Sequence, residues 1–352
     1  MVEPVRIGVV GCGVIGESHL KLAAESAMAE VVAVADIAEE RANAAAKKFG
    51  VPSVYGNDDD LLNDPRVDAV VLAMPTGART PVACKALERG KHVLLEKPVA
   101  GNAAEVEKMM ALRGDRVVAC CSPRMAFTPH AEAAAKCVAS GVLGRIRLVR
   151  IRAVLATGSK PRDPIPPWRQ SMQQNGGGIL VNWSCYDLDY VMHITNWQLR
   201  PRALLAKWWP VAAKMSDYVA PGSDADSHYI ALVQCENDMA LSMERAEFSS
   251  ATTDQAWEVI GTDASLHLPM RPQEGKPNAV ILDRFVPGKG VVCETIWEET
   301  GEDATDNVVN DFVSAIRGGT EPKTNLARAL VVQKITDAIY ASAKSGASVA
   351  ID

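Results

Sequence analysis

Short unbroken apolar runs alternate with helical spacing over the first third of the chain. Val5–Val10, Val31–Ala35, Ala69–Ala73, His92–Leu95 and Val117–Cys121 read as strands buried on both faces. Between them, Glu39–Phe49, Ala78–Arg89 and Ala103–Leu112 carry the spacing of amphipathic helices. Gly50 and Gly90 follow charged last turns and fit glycine C-caps. Asn57-Asp58-Asp59-Asp60 suits a solvated helix start, where negative charge meets the positive end of the dipole. This βαβα alternation predicts a parallel sheet with helices on both sides.

The pattern changes after about Ser122, beyond which all seven tryptophans lie. Arg145–Leu155, Ser227–Glu236 and Met239–Glu247 read as long strands, with Asn237-Asp238 as a hairpin turn. Trp257–Ile260 and Ser265–Leu268 flank Gly261-Thr262-Asp263 as a further pair. Strands joined by tight turns predict an antiparallel or mixed sheet. Helical patterns near Asn307–Ile316 and Leu326–Ala343 close the chain. The expected class is α/β: a doubly wound parallel sheet over 1–123, then an α+β domain with a large open sheet over 124–352. The last helix is a candidate to pack back on the first domain.

The loop after the first strand adds chemistry. Gly11-Cys12-Gly13-Val14-Ile15-Gly16 follows it directly, and Asp36 ends the second strand, twenty residues past Gly16. Strand, glycines, helix, strand and acid in this order form a dinucleotide-binding Rossmann fingerprint. Gly11 allows the tight turn. Gly13 lets backbone approach a pyrophosphate, and Gly16 lets the helix pack on the strand. The helix opened by Val14 and Ile15 aims free N–H groups at the phosphates. Asp36 accepts ribose hydroxyls and repels a 2′-phosphate, which favours NAD. Ile37 follows, where a phosphate binder would often offer a small polar or basic group. Arg41, one turn on, leaves NADP open.

Composition narrows the class. The chain has 352 residues and a net charge of −6, with both signs interspersed. That argues against a nucleic-acid footprint and against an anionic membrane surface. No apolar stretch reaches a membrane span, and a first strand near Val5 leaves no expected signal peptide. Eight cysteines without a CxxC pair fit a reduced cytoplasm. Six scattered histidines offer no metal-ligand spacing, so no metal is expected.

Two further segments stand out. Glu96-Lys97-Pro98 closes an apolar strand, which sets Lys97 at the end of the sheet where ligands bind. Met74-Pro75-Thr76, at the end of another strand, and Glu96-Lys97 are candidate cofactor contacts. A strand-end lysine can stabilise alkoxide character on a substrate oxygen, or simply be solvated. Gly158 to Gly178 is long and irregular, with Pro161, Pro164, Pro166 and Pro167, then Trp168-Arg169, ending in three glycines. Loops of this length in a compact domain are usually functional.

Gly11-Cys12-Gly13-Val14-Ile15-Gly16, Gly90-Lys91-His92-Val93-Leu94-Leu95-Glu96-Lys97-Pro98 and Gly176-Gly177-Gly178-Ile179-Leu180 together resemble the Gfo/Idh/MocA oxidoreductases. Inositol dehydrogenases and glucose–fructose oxidoreductase belong to this group. The resemblance extends through Gly141-Val142-Leu143-Gly144, Gly261-Thr262 and Ala338-Ile339-Tyr340-Ala341-Ser342-Ala343. It implies a Rossmann domain, an open-sheet domain, NAD or NADP, and a sugar, cyclitol or polyol as small-molecule substrate. It also implies a homodimer or homotetramer formed through the exposed sheet face.

The departures set the mechanistic question. Asn182 stands where the family usually carries Asp, Tyr186 where it carries the catalytic His, and Asp189 keeps the last acid. On a regular helix these three share one face. Arg79 stands near the place of another family histidine. Glucose–fructose oxidoreductase is similar in carrying Tyr at this position. In one reading Tyr186 is the acid/base, with Lys97 beside it favouring the phenolate. In another Tyr186 binds sugar and the proton goes to Lys97 or water. In a third the site is a dinucleotide-dependent sensor without turnover. Redox-neutral glycoside cleavage with retained NAD is a further alternative. Asn182 can orient a substrate hydroxyl or Lys97. Trp168 can stack on sugar or nicotinamide, and Arg169 can donate to either. Arg124 is either a substrate-edge residue or a structural ion pair. His193 reads as a packed core histidine.

Overall fold

The computed structural model describes residues 3–159, 166–273, 275–301 and 306–352. Pro161 and Pro164 lie outside the described residues. The chain divides into two compact units, Met1–Arg124 with Asp306–Gln333 and Met125–Thr305 with Lys334–Asp352. Residues 306–333 thus cluster with the first unit; the sequence reading sets them in 124–352, with the last helix a candidate to pack back on the first domain. The physical reason is apolar: Leu326 and Ala329 are buried in the first unit's core.

The first unit holds β1 (Val5–Val10), β2 (Ala29–Ala35), β3 (Ser53–Tyr55), β4 (Ala69–Leu72), β5 (His92–Leu95) and β6 (Val118–Cys120). Their order is β3-β2-β1-β4-β5-β6, parallel throughout. The order reverses between β1 and β4, the switch point outside whose carboxyl ends ligands bind. Ile7, Val9, Val34, Leu72, Leu94 and Leu95 are fully buried, as double-sided coverage requires. Asn57 caps the Asp58–Asn63 helix by accepting from the Asp60 amide at 2.9 Å.

The second unit is built on nine strands. They are β7 (Ile146–Ala156), β8 (Pro201–Pro210), β9 (Asp226–Cys235), β10 (Ala240–Ser249), β11 (Asp254–Gly261), β12 (Ala264–Leu268), β13 (Ala279–Val286), β14 (Gly290–Glu298) and β15 (Val349–Ala350). The order is β14-β13-β12-β11-β7-β10-β9-β8-β15. Within this sheet only β7 and β10 pair in parallel among the described strands. Asn237 and Asp238 both take left-handed backbone (φ +58° and +60°), which the β9–β10 hairpin requires. Along β9, Tyr229, Ala231 and Val233 are buried while Ile230 and Leu232 face out. The Pro129–Ala139 helix packs against β12–β14 and against the Cys185–Ile194 helix. Among the described residues no helix is long and apolar enough to cross a membrane.

Candidate functional site

The glycine loop of the first unit has three different geometries at its three glycines. Gly11 is left-handed (φ +94°), and a Cβ there would lie 2.5 Å from the Ala73 carbonyl oxygen. A Cβ on Gly16 would lie 1.8 Å from the Gly11 carbonyl oxygen, so helix and turn touch backbone to backbone. Gly13 has no atom within 4 Å of its would-be Cβ. That open space sits at the N-cap of the Val14–Ala24 helix, where backbone donors and the dipole favour an anion. Asp36 fixes the loop: its carboxylate accepts from the Cys12 amide at 2.7 Å and the Ala38 amide at 2.8 Å. Val14, Ile15 and Ile37 are exposed, Ile37 to 95%. Apolar groups this bare beside an anion cradle suit the flat faces of a nucleotide.

Beyond β4 and β5 the unit is held by buried charge. Arg79 is buried, and its guanidinium donates to the carbonyls of Glu96 (2.5 Å), Met74 (2.6 Å) and Pro98. It ties together the chain around Met74-Pro75-Thr76, where Pro75 is exposed and Thr76 buried. Glu96 is buried as well. It accepts from His19 Nε2 at 2.8 Å, from the Lys97 amide at 2.9 Å and from Arg124. Burial alone would raise its carboxyl, but the His19 hydrogen bond and the positive Arg124 and Arg79 outweigh it and hold it at about 2. Arg124 therefore stands in an ion pair with Glu96. Lys97 follows directly and is half-buried.

His19, Glu96 and Cys121 form the one group of possible metal ligands among the described residues. The donor set does not suit a cation. Arg124 lies on the same Glu96 oxygen that His19 bonds, and burial pushes the Cys121 thiol well above its ordinary range. The cluster is a charged hydrogen-bond network.

In the second unit the three glycines are a close-packed junction. A Cβ on Gly178 would lie 1.9 Å from the Asp226 carbonyl oxygen, and one on Gly177 would lie 1.8 Å from the Tyr340 hydroxyl. The buried Asp226 carboxylate accepts from the amides of Gly178 and Leu180, both at 2.8 Å, and from Tyr340 at 2.6 Å. This anion caps the start of the next helix. Leu180–Ser184 forms a π-helical turn before the Cys185–Ile194 helix. The regular i, i+4, i+7 face of Asn182, Tyr186 and Asp189 is thus broken by a wider turn, of a kind frequent at functional sites.

Asn182 is buried. Its Nδ2 donates to the Arg169 carbonyl at 3.0 Å and the Gly178 carbonyl at 2.8 Å. The sequence offers this amide to a substrate hydroxyl or to Lys97. Both amide hydrogens are committed to backbone carbonyls, and Oδ1 accepts from Asn175 Nδ2 at 3.4 Å. Tyr186 is buried and edge-on to Trp183, with ring centroids 5.7 Å apart. Asp189 pairs with His193 at 3.0 Å. Asp187 is held in a fork by Arg245 (2.7 and 2.8 Å) and by Trp257 Nε1 (3.0 Å). Arg245 and Arg271 each lie over the Trp183 ring, at 5.2 and 5.3 Å.

The Trp168-Arg169 segment is a 3-10 turn, Pro167–Gln170, anchored from two sides. Asn182 and Asn175 hold the Arg169 carbonyl, and the amides of Asp224 and Ala225 donate to the Gln170 carbonyl. Trp168 is 40% exposed, and Arg169 lies 3.9 Å from the carboxylate of Glu247. Asp226, Arg245, Gln170 and Glu247 escape the sequence reading. They sit on strands or at the end of a turn, with no motif to mark them. Tyr340 enters it only through the resemblance.

The matches to known proteins agree with this architecture. Residues 5–123 match the oxidoreductase family model described as an NAD-binding Rossmann fold, and residues 135–351 match its C-terminal alpha/beta domain. D-xylose 1-dehydrogenase (NADP(+)) 2 of Haloferax volcanii is 27% identical over 352 residues, 98% of this chain and 99% of that one. Myo-inositol 2-dehydrogenase of Thermotoga maritima is 28% identical over 190 residues, 54% of each chain. A levoglucosan dehydrogenase solved with NADH and L-sorbose shares the fold at a TM-score of 0.85, over 100% of both chains at 20% identity. With both halves matched in order and a relative aligned from end to end, the chain belongs to the Gfo/Idh/MocA oxidoreductases.

Proposed function

We propose that this oxidoreductase moves a hydride between a nicotinamide cofactor and a secondary alcohol carbon of a sugar, cyclitol or glycoside. The open space at Gly13, beside a loop pinned by Asp36, carries the cofactor part of the reading. Gly11, Gly13, Val14, Ile15 and Gly16 would hold the pyrophosphate. Asp36 and Ile37 would hold the adenosine half, and Met74, Pro75, Thr76, Glu96 and Lys97 would border the nicotinamide half. NAD is the preferred form, since a carboxylate at Asp36 disfavours a 2′-phosphate. Bound there, the nicotinamide supplies the hydride acceptor or donor.

Tyr186 takes the place of the family histidine and exchanges the hydroxyl proton. Lys97 stabilises the oxyanion that develops. Both roles require the two side chains to converge on one substrate oxygen. Trp168 stacks on the sugar, and Arg169 donates to it. Asn182 acts as a positioning residue that latches this turn to the helix bearing Tyr186. All eight cysteines are free thiols, which suits a reducing cytoplasm.

A screen of polyols, aldoses and glycosides with NAD and NADP tests the proposal. NAD-dependent reduction with at least one member is expected, with tighter binding of NAD(H) than of NADP(H). A tenfold preference for NADP(H) would overturn the role of Asp36. Substrate cleavage without net reduced cofactor would identify the redox-neutral reaction. Sugar binding without turnover would identify a sensor.

A further inference from the structure

His19 is fully buried on the Val14–Ala24 helix, whose inner face it shares with Gly16, Leu20 and Ala23. The neighbours on that face are apolar or lack a side chain, so packing alone asks for no polar group there. Its Nε2 lies 2.8 Å from Glu96 Oε1. An ionised carboxylate only accepts, so Nε2 carries the N–H of this bond. Nδ1 is sealed from solvent and has no partner among the described residues. The imidazole thus occupies a position that leaves one ring nitrogen unmatched, and the bond to Glu96 is what it supplies in return.

The carboxylate passes that restraint on. Its other oxygen, Oε2, accepts from the Lys97 amide at 2.9 Å. On the opposite edge of the same peptide, Arg79 donates to the Glu96 carbonyl at 2.5 Å. The peptide that leads into Lys97 is therefore held at both its N–H and its oxygen. Arg124 shares Oε1 with His19, but a quarter of its side chain is exposed, whereas none of the imidazole is.

We propose that His19 is a positioning residue for Lys97: it fixes the Glu96 carboxylate, which orients the peptide from which the lysine side chain springs. The inference rests on the role of Lys97 given above and deepens it. One helix would then set both groups, the pyrophosphate at its start and the lysine through its inner face.

The test compares His19→Gln, whose Nε2 can still donate to the carboxylate, with His19→Asn, whose shorter amide cannot reach it. Two readouts are taken on folded protein. One is the acetylation rate of Lys97 with acetic anhydride, followed by mass spectrometry. The other is turnover of whichever of D-xylose, levoglucosan and myo-inositol the wild type oxidises fastest. His19→Asn should change the labelling rate at least ~threefold and lower kcat at least ~tenfold, with KM and NADH affinity within ~threefold of wild type. His19→Gln should restore both. An unchanged labelling rate in His19→Asn, or equal changes in the two variants, overturns the proposal whatever happens to the urea midpoint. If His19→Asn does not fold, His19→Met, which fills the space without a donor, takes its place; if neither folds, His19 serves the fold alone and the proposal fails. Lys97→Met separates this inference from the reading beneath it. Normal turnover in Lys97→Met removes the lysine from the reaction, while an altered labelling rate in His19→Asn still upholds the link through Glu96. Loss of turnover in Lys97→Met with kcat unchanged in His19→Asn keeps the lysine and overturns the role of His19.

Discussion

Tyr186 and Glu96 make opposite demands on their surroundings. Tyr186 lies edge-on to Trp183, and the proposed chemistry asks it to pass a proton. Tyr186→Phe keeps the ring packing and removes only the hydroxyl. Turnover should fall at least ~100-fold with NAD affinity unchanged, and near-normal turnover would assign the proton to another group. Glu96 is instead a permanent anion. Its carboxyl is held at about 2 against an ordinary value near 4.5, chiefly by His19 and Arg124 once burial is overcome. A depressed acid stabilises the fold above its unfolded value and loses that contribution as pH falls toward the folded one. The wild type should therefore lose on the order of 3 kcal/mol between pH ~4.5 and ~2 from this group. Denaturant titrations across that range should show Glu96→Gln less stable at neutral pH and without this component. An unchanged slope would contradict the network described around His19.

At the scale of elements, backbone contact decides which glycines matter. Gly16→Ala and Gly178→Ala would each drive a Cβ into a backbone oxygen, at 1.8 and 1.9 Å. Both should cost several kcal/mol in thermal or urea unfolding, roughly the range of overpacked cores or more. Gly13→Ala meets open space, so its stability should change by no more than about 1 kcal/mol. Its NAD affinity should drop, and tight NAD binding by this variant would remove the cofactor from the loop. The parallel sheet was legible because β2, β4, β5 and β6 are covered on both faces and so carry unbroken apolar runs. Helix Glu39–Phe49 was legible to the residue. Three-residue β3 was too short to register. Strands β8, β13 and β14 were obscured by polar or exposed positions, β14 being exposed along most of its length. The candidate site was legible only where a motif carried it. Asp226 and Glu247 act across long sequence separations, and the π-turn at Leu180–Ser184 leaves no periodic trace. Asn182 stands out in the sequence as an unusual amide, but the carbonyls it donates to are encoded by no side-chain pattern.

For the whole molecule, the nine-stranded sheet leaves an unanswered face. Leu205 and Leu232 stand opposite one another on β8 and β9, each 54% exposed, with Ile230 and Trp209 beside them. These exposed apolar side chains share the face with the exposed Lys207, and such a grouping is a candidate contact surface. We propose that a second copy of the chain covers it. Leu205→Glu with Leu232→Glu should lower the mass seen by analytical ultracentrifugation while leaving unfolding of the first unit unchanged. A wild-type monomer at micromolar concentration would end that reading. The Arg245–Asp187 fork is internal to the second unit, and breaking it with Asp187→Ala should cost about 3–5 kcal/mol.

The amide of Asn182 donates to the backbone of the Trp168-Arg169 turn, at the Arg169 carbonyl. On the proposed function, recognition and reaction are thereby separable. The more exposed side chains at 168 and 169 can be exchanged for others while the grip persists, so a new preference for one sugar over another need not disturb the phenol that the same helix carries.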